Sequence, residues 1–382
     1  METRKYYLIY FFIYLSSASI VSLMPVYLNE SVKMEVSKVA FFMSLIPILN
    51  ILFQPVWGSI ADRLGNRILV LKFLLIMTAI LAFFIGVSEN KMLILLLFSL
   101  YTIFMCGQAP IKDSITMGYI ATVEGASFGI IRTWGAIGFA MGAFGAGFLA
   151  DVLVINWIFY LGSFGFFLSL FFTNNIKNIN GDLSRDKYGD AIKELIRNKV
   201  YISTLMYGFF FVGAFFSADQ FHSLFVRHNG FNMTIVGLLL FIAVCVEIPF
   251  MFFSRKIMIK FGLLNLVFAM ATISVIRLFY LGMSTSLIDF LITGILRGIS
   301  VGILIPLSIQ LISTITKPKV LSSALSIYSS ATGGIGVVVF TLLGGIIIDQ
   351  FDYRVLFWFY GVTQSVLFIP LLLNIKKLKN LI

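Results

Sequence analysis

The sequence predicts an all-α integral membrane protein of twelve transmembrane helices, arranged as two pseudo-symmetric six-helix bundles. Three observations lead there: a composition too apolar for water, a succession of runs long enough to cross a bilayer, and a repeat with an offset of about half the chain. Hydrophobic residues are 59% of the 382 and charged residues 12%, against about 25% charged in a soluble domain.

A helix needs about 20 mostly apolar residues to cross the hydrocarbon core. Runs of that kind are expected at 6–28, 38–60, 69–87, 92–118, 128–150, 154–175, 200–227, 232–254, 263–283, 286–313, 322–346 and 353–375. The first is longer than a signal-peptide core and no small-residue cleavage site precedes the second, so it is read as a helix of the mature protein. Aromatic residues make up 16% of the chain, Phe above all, and suit a lipid-facing surface.

A net charge of +11 would fit a nucleic-acid binder, so the placement of the basic residues decides. With the N-terminus inside, the segments on that side hold 19 Lys and Arg, and the opposite loops hold five, namely Lys33, Lys38, Lys91, Arg227 and Arg354. That asymmetry is the positive-inside signal, and it puts both termini in the cytoplasm. Nucleic acid would find no folded domain to bind. Cys106 and Cys245 fall in separate spans and are read as buried apolar fillers rather than a disulfide or metal pair.

The most polar stretch holds ten charged residues between Lys177 and Lys199 and splits the spans six and six. The expected organisation is a bundle over 1–175, a cytoplasmic linker over 176–199 and a second bundle over 200–382. The halves echo one another. Gly65 ends "DRLG" and Gly262 ends "IKFG", 197 apart, and "GAGFLAD" ends at Asp151 as "LGGIIID" ends at Asp349, 198 apart. A repeat of this length indicates two equivalent bundles, a build in which transporters bind at the midplane and rock one half on the other.

The loop after the second span reads "GSIADRLGNR". Gly58 would allow close helix contact, Gly65 a tight turn, and Arg63 and Arg67 would hold the loop on the cytoplasmic side. Asp62 is placed to pair with a basic residue or a helix N-terminus of the other half. This Gly-x-x-x-Asp-Arg-x-Gly-x-Arg pattern resembles the loop 2–3 signature of the major facilitator superfamily. The resemblance implies the major facilitator fold and a conformational gate at Gly58, Asp62, Arg63, Gly65 and Arg67. The second copy, "SRKIMIKFG", has no acid.

Four basic residues remain within spans, Lys112, Arg132, Arg277 and Arg297, beside the acids Asp113, Asp219 and Glu247. At about 2.5–3.5 kcal/mol for each ionised residue at mid-helix, seven facing lipid would cost on the order of 20 kcal/mol. They are expected to face an interior, and mostly one another, either as a polar pathway or as ion pairs that only fix packing. Lys112, about 100° around the helix from Asp113, is expected to point elsewhere and to snorkel toward the cytoplasm.

On a helix, Arg132, Gly135, Phe139, Gly142 and Ala146 share a face, flanked by Gly138 and Gly145. Such a stripe lets a neighbouring helix approach closely. Arg132 at its head brings five donors, and Phe139 a ring two turns on. Together they would hold a hydroxylated or carboxylated ligand. Arg132 does not recur in the second half, where Ser330 stands 198 residues later.

The stretch "FGIIRTWGAIGF" also resembles the fifth span of the lactose-permease branch, the oligosaccharide/proton symporters, and of its nucleoside and phenylpropionate permease relatives. "DQFHSLF", "VEIPFMFF" and "SVIRLF" resemble that branch's seventh, eighth and ninth spans, which places Asp219, Glu247 and Arg277 at functional positions. The resemblance implies that Arg132 pairs with an acid of the fourth span, a role open to Asp113, that it binds sugar, and that Phe139 stacks on it. The chain departs from the branch in the tenth span. It has Gly294, Arg297 and Ser300 where lactose permeases carry a lysine, a histidine and the proton-carrying glutamate. Asp219 and Glu247 remain as proton carriers beside Arg277 and Arg297. Glu247, nearer the middle of its span, is preferred, and a permanently paired structural glutamate is the alternative. His222 follows Asp219 by three residues; it either shares that face or is a satisfied polar group near the outer surface.

The expected function is a secondary transporter of small polar organic solutes, with a sugar, oligosaccharide or nucleoside as cargo by resemblance and protons as the coupling ion. If all seven buried groups are ionised they sum to +1, which keeps a carboxylate cargo open. Uniport or efflux of a more hydrophobic compound is the rival within the class. An intramembrane enzyme or receptor is the rival outside it. The chain has no His-Glu-x-x-His, no Gly-x-Ser-x-Gly, no P-loop and two histidines. No cofactor or metal is expected, and the chain is expected to act as a monomer in the cytoplasmic membrane.

Overall fold

The computed structural model describes residues 2–123, 127–174, 176, 194–317 and 320–366, and all regular structure among them is helical. Every predicted run finds its helix: α1 (Glu2–Ser31), α2 (Val36–Leu64), α3 (Arg67–Val87), α4 (Lys91–Ile120), α5 (Phe128–Val152), α6 (Trp157–Thr173), α7 (Lys199–His228), α8 (Met233–Phe261), α9 (Leu263–Met283), α10 (Leu287–Ile315), α11 (Ser323–Gln350) and α12 (Tyr353–Val366). Ten are long and apolar enough to cross a membrane, and α6 and α12 are shorter. The remainder of the last predicted run lies outside the described residues. So does most of the 176–199 linker.

Helix ends follow local chemistry. The Asn66 side chain accepts from the Leu69 N–H at the head of α3, and the Asn90 side chain accepts from Met92 and Leu93 at the head of α4. Each satisfies donors that a helix start leaves free. Ser286 and Asp289 form a capping box on α10. Gly65 and Gly262 both take left-handed backbone, φ 60° and 76°, each between two consecutive helices. The 197-residue repeat therefore extends to a positive φ at the same place, which glycine adopts freely.

The described residues form two compact units. The first takes Met1–Met34, Ile48–Leu183 and Ser223–Val244, and the second Glu35–Pro47, Ser184–His222 and Cys245–Ile382. In the first, α1 and α5 are in backbone contact. A Cβ at Gly138 would meet the carbonyl oxygen of Phe11, and one at Gly142 that of Leu15. The predicted stripe does permit close approach, but the residues at the contact are Gly135, Gly138 and Gly142. Gly145 faces Leu161 of α6 instead, with a Cβ there at an ordinary 3.7 Å. The register of this contact sets Tyr10 and Tyr14 of α1 beside the first turns of α5.

The second unit is stitched by buried polar bonds. Gln364 of α12 accepts from Ser274 of α9 at 2.7 Å and donates to the Phe211 carbonyl of α7 at 3.0 Å. Tyr360 of α12 donates to the Phe340 carbonyl of α11 and lies 2.8 Å from the Ser217 hydroxyl. In an interior without water each such group needs a protein partner.

The repeated aspartates are helix caps. Asp151 ends α5 and accepts from the N–H groups of Met233 and Thr234 at the head of α8, at 3.0 and 2.6 Å. Asp349 ends α11 and accepts from the N–H of Ser37 at the head of α2, at 3.0 Å. The glycine four residues before each aspartate opens the contact, since a Cβ at Gly147 would meet the Met233 carbonyl and one at Gly345 would lie 2.5 Å from Ala40 Cβ.

Two expectations fail here. No described atom lies within 4 Å of a Cβ at Gly58, so close helix contact is not what that glycine provides; this end of α2 is largely exposed. Cys106 is buried but Cys245 is exposed, because its side of α8 is not covered by another helix among the described residues.

Candidate functional site

Two clusters hold the buried charges, one in each unit. In the first, α4 supplies Lys112 and Asp113, α1 supplies Tyr10 and Tyr14, and α5 supplies Arg132. The Lys112 ammonium sits 4.1 Å from the centroids of both tyrosine rings and 3.5 Å from Oδ1 of Asp113. Its side chain is 2% exposed, and Nζ has no hydrogen-bond partner among the described residues. Asp113 accepts a 2.6 Å bond from the Tyr10 hydroxyl and keeps 38% of its side chain exposed.

Lys112 therefore does not snorkel. The 100° separation along the helix is overcome by the length of the lysine stem, and two π faces, each giving about 0.5–2 kcal/mol, hold the ammonium inside.

Arg132 does not take the acid. Its guanidinium carbon lies 4.3 Å from the Tyr14 centroid, it is half-buried, and among the described residues it makes no hydrogen bond and no ion pair. The expected Arg132–Asp113 pair is thus replaced by Lys112–Asp113. Phe139 is half-buried two turns along α5.

The second cluster centres on Asp219 of α7. Arg277 of α9 donates to its Oδ1 through Nη2 at 2.5 Å, and Arg297 of α10 to its Oδ2 through Nε at 2.6 Å. Arg277 is 1% exposed and lies 4.8 Å over the Phe215 ring, with Nε and Nη1 unpartnered among the described residues. Arg297 Nη1 reaches Oε2 of Glu247 on α8 at 4.0 Å. A carboxylate shared by two guanidiniums recovers part of the desolvation cost of all three. His222 is buried, edge-on to Phe290 at 6.1 Å. Gly294 and Ser300 are buried on α10, and the Ser300 hydroxyl donates to the Leu296 carbonyl.

Across the α2–α3 turn, Arg67 Nη2 at the head of α3 lies 3.2 Å from Oδ1 of Asp62 in the last turn of α2. Arg63 and Gly65 are exposed there.

Sequence reasoning missed Tyr10 and Tyr14. The signal was present as Tyr6, Tyr10 and Tyr14, a tyrosine every four residues on one face of a span whose other aromatics include Phe11 and Phe12.

Among the described residues, ten helices long and apolar enough to cross a membrane, with charged side chains gathered among them, define a multi-pass membrane protein. The MFS_1 like family model matches residues 3–359, and the chain belongs to that family of major facilitator transporters. It is 27% identical to the uncharacterised transporter YwbF of Bacillus subtilis over 100% of this chain and 96% of that one. It is 26% identical to the maltose permease of Geobacillus stearothermophilus, covering 97% and 94%. Its fold superposes on the crystal structure of a mutant of the nucleoside transporter NupG with a TM-score of 0.88, at 15% identity, covering 97% and 99%. All three are transporters.

Proposed function

We propose that the protein is a secondary transporter of a small polar organic solute, a sugar, oligosaccharide or nucleoside, carried across the cytoplasmic membrane in symport with protons by alternating access. Residues 1–175 and 200–382 act as the two six-helix halves, joined through 176–199, with both termini cytoplasmic. The observation that carries the reading is the first cluster: Arg132 has its donors free among the described residues beside a partly exposed Asp113, with Phe139 two turns on. A guanidinium fork, a carboxylate and a ring are the groups that grip a hydroxylated ring compound. The maltose permease and nucleoside transporter among its relatives support this class of cargo.

Uniport is the second reading. Asp219 is bonded to two arginines, and Ser300 stands where the related symporters keep an acid. Counterflow of radiolabelled sugars and nucleosides in proteoliposomes tests transport, and a pH gradient imposed on the same vesicles tests coupling. Exchange without uphill accumulation selects uniport. No exchange for any solute of a broad panel overturns the transport reading.

A further inference from the structure

The first cluster is not electrically balanced. The second holds two arginines and two acids, whereas Lys112 and Arg132 have a single acid between them among the described residues, Asp113, and Lys112 takes it. The surplus positive charge of the interior therefore lies on one side chain, and the geometry says which. Lys112 is sealed beneath Tyr10 and Tyr14 and its nearest charged neighbour is Asp113. A ligand cannot reach it. Arg132 is half-buried, open, and without an acceptor among the described residues.

We propose that the solute carries a carboxylate and that this group docks on Arg132, with Lys112 acting as the positioning residue that keeps Asp113 engaged and Arg132 vacant. The inference rests on the transport reading above and narrows its cargo to acidic hydroxylated solutes, of which sugar acids are the simplest. An unpaired guanidinium in a low-dielectric site is costly, and a carboxylate meets it with two parallel charge-assisted bonds. The neutral counterpart of the same sugar leaves that cost in place. Asp113, already holding the Tyr10 hydroxyl, retains an exposed edge for the sugar hydroxyls.

The test compares matched pairs on the purified full-length protein: D-glucuronate against D-glucose, and D-galacturonate against D-galactose, by equilibrium binding at constant pH and ionic strength. In the wild type the acids bind about tenfold more tightly or better, the yield expected of a hydrogen-bonded charge pair. Lys112→Met, checked for folding by size exclusion, frees Asp113 to turn to Arg132 and brings the acid-to-neutral ratio to one or below. Lys112→Arg restores the preference, which a role in packing alone would not predict. Neutral sugars binding as tightly as their acids to the wild type overturns the inference while leaving the transport reading intact. Failure of all four probes to bind overturns the narrowing to sugar acids, while the transport reading stands or falls with the counterflow panel.

Discussion

Asp151 accepts two hydrogen bonds of 2.6 Å from Thr234, one from its backbone N–H and one from its hydroxyl, and so ties the end of α5 to the head of α8. Asp349 repeats the arrangement with a single bond to the Ser37 N–H. A cap of this kind contributes about 0.5–2 kcal/mol. Asp151→Ala therefore lowers the melting temperature of the purified protein more than Asp349→Ala does, because the bonds to Met233 and Thr234 outnumber the one to Ser37. Equal or reversed losses in a fluorescence melt would contradict the role of these aspartates as caps.

The glycines separate into those that packing requires and those it does not. Gly138→Ala and Gly142→Ala push a methyl group into the α1 backbone, where no side chain can give way, and overpacking of this sort costs about 1–3 kcal/mol. Gly58→Ala meets nothing in this conformation and leaves the melting temperature unchanged or raises it slightly. Loss of folding in the last variant with none in the first two would contradict the α1–α5 backbone contact.

The same contrast shows what a sequence can and cannot carry. The spans were legible because about twenty apolar residues in a row suit the bilayer core and little else. The repeat was legible because Gly65 and Gly262, like Asp151 and Asp349, do the same local job at the same offset. The role of Gly58 was not legible, since a glycine needed for approach and one facing open space are the same letter. The partner of Asp113 was not legible either. It depends on how far the Lys112 stem reaches and on α1 placing Tyr10 and Tyr14 over its end, a tertiary arrangement that no spacing within α4 encodes.

Arg132→Lys keeps the charge at the head of α5 but loses the planar fork, and a lysine offers a point charge in its place. Affinity for the transported solute falls about tenfold or more, read as loss of substrate protection or of counterflow. Near-normal affinity would sink the binding role of Arg132. A fall in melting temperature alone, with affinity intact, would assign it to packing against Tyr14.

Glu247 and Asp219 differ in how the arginines hold them. Asp219 is enclosed by two guanidiniums at hydrogen-bond distance, whereas Glu247 lies 4.0 Å from Arg297. Removing the charge of Asp219 leaves two buried arginines without their shared acid, a loss of about 3–5 kcal/mol for breaking a buried pair, so Asp219→Asn is strongly destabilised. Glu247→Gln keeps the shape of the side chain and leaves Asp219 on both arginines, so it retains the fold and equilibrium counterflow. What it loses is uphill accumulation driven by a pH gradient, because a glutamine cannot carry a proton and both oxygens of Asp219 are already taken by arginine donors. Unchanged accumulation in Glu247→Gln would move the proton to Asp219 or remove proton coupling altogether, and the melting curves of the two variants would show whether the bonding difference, at least, is real.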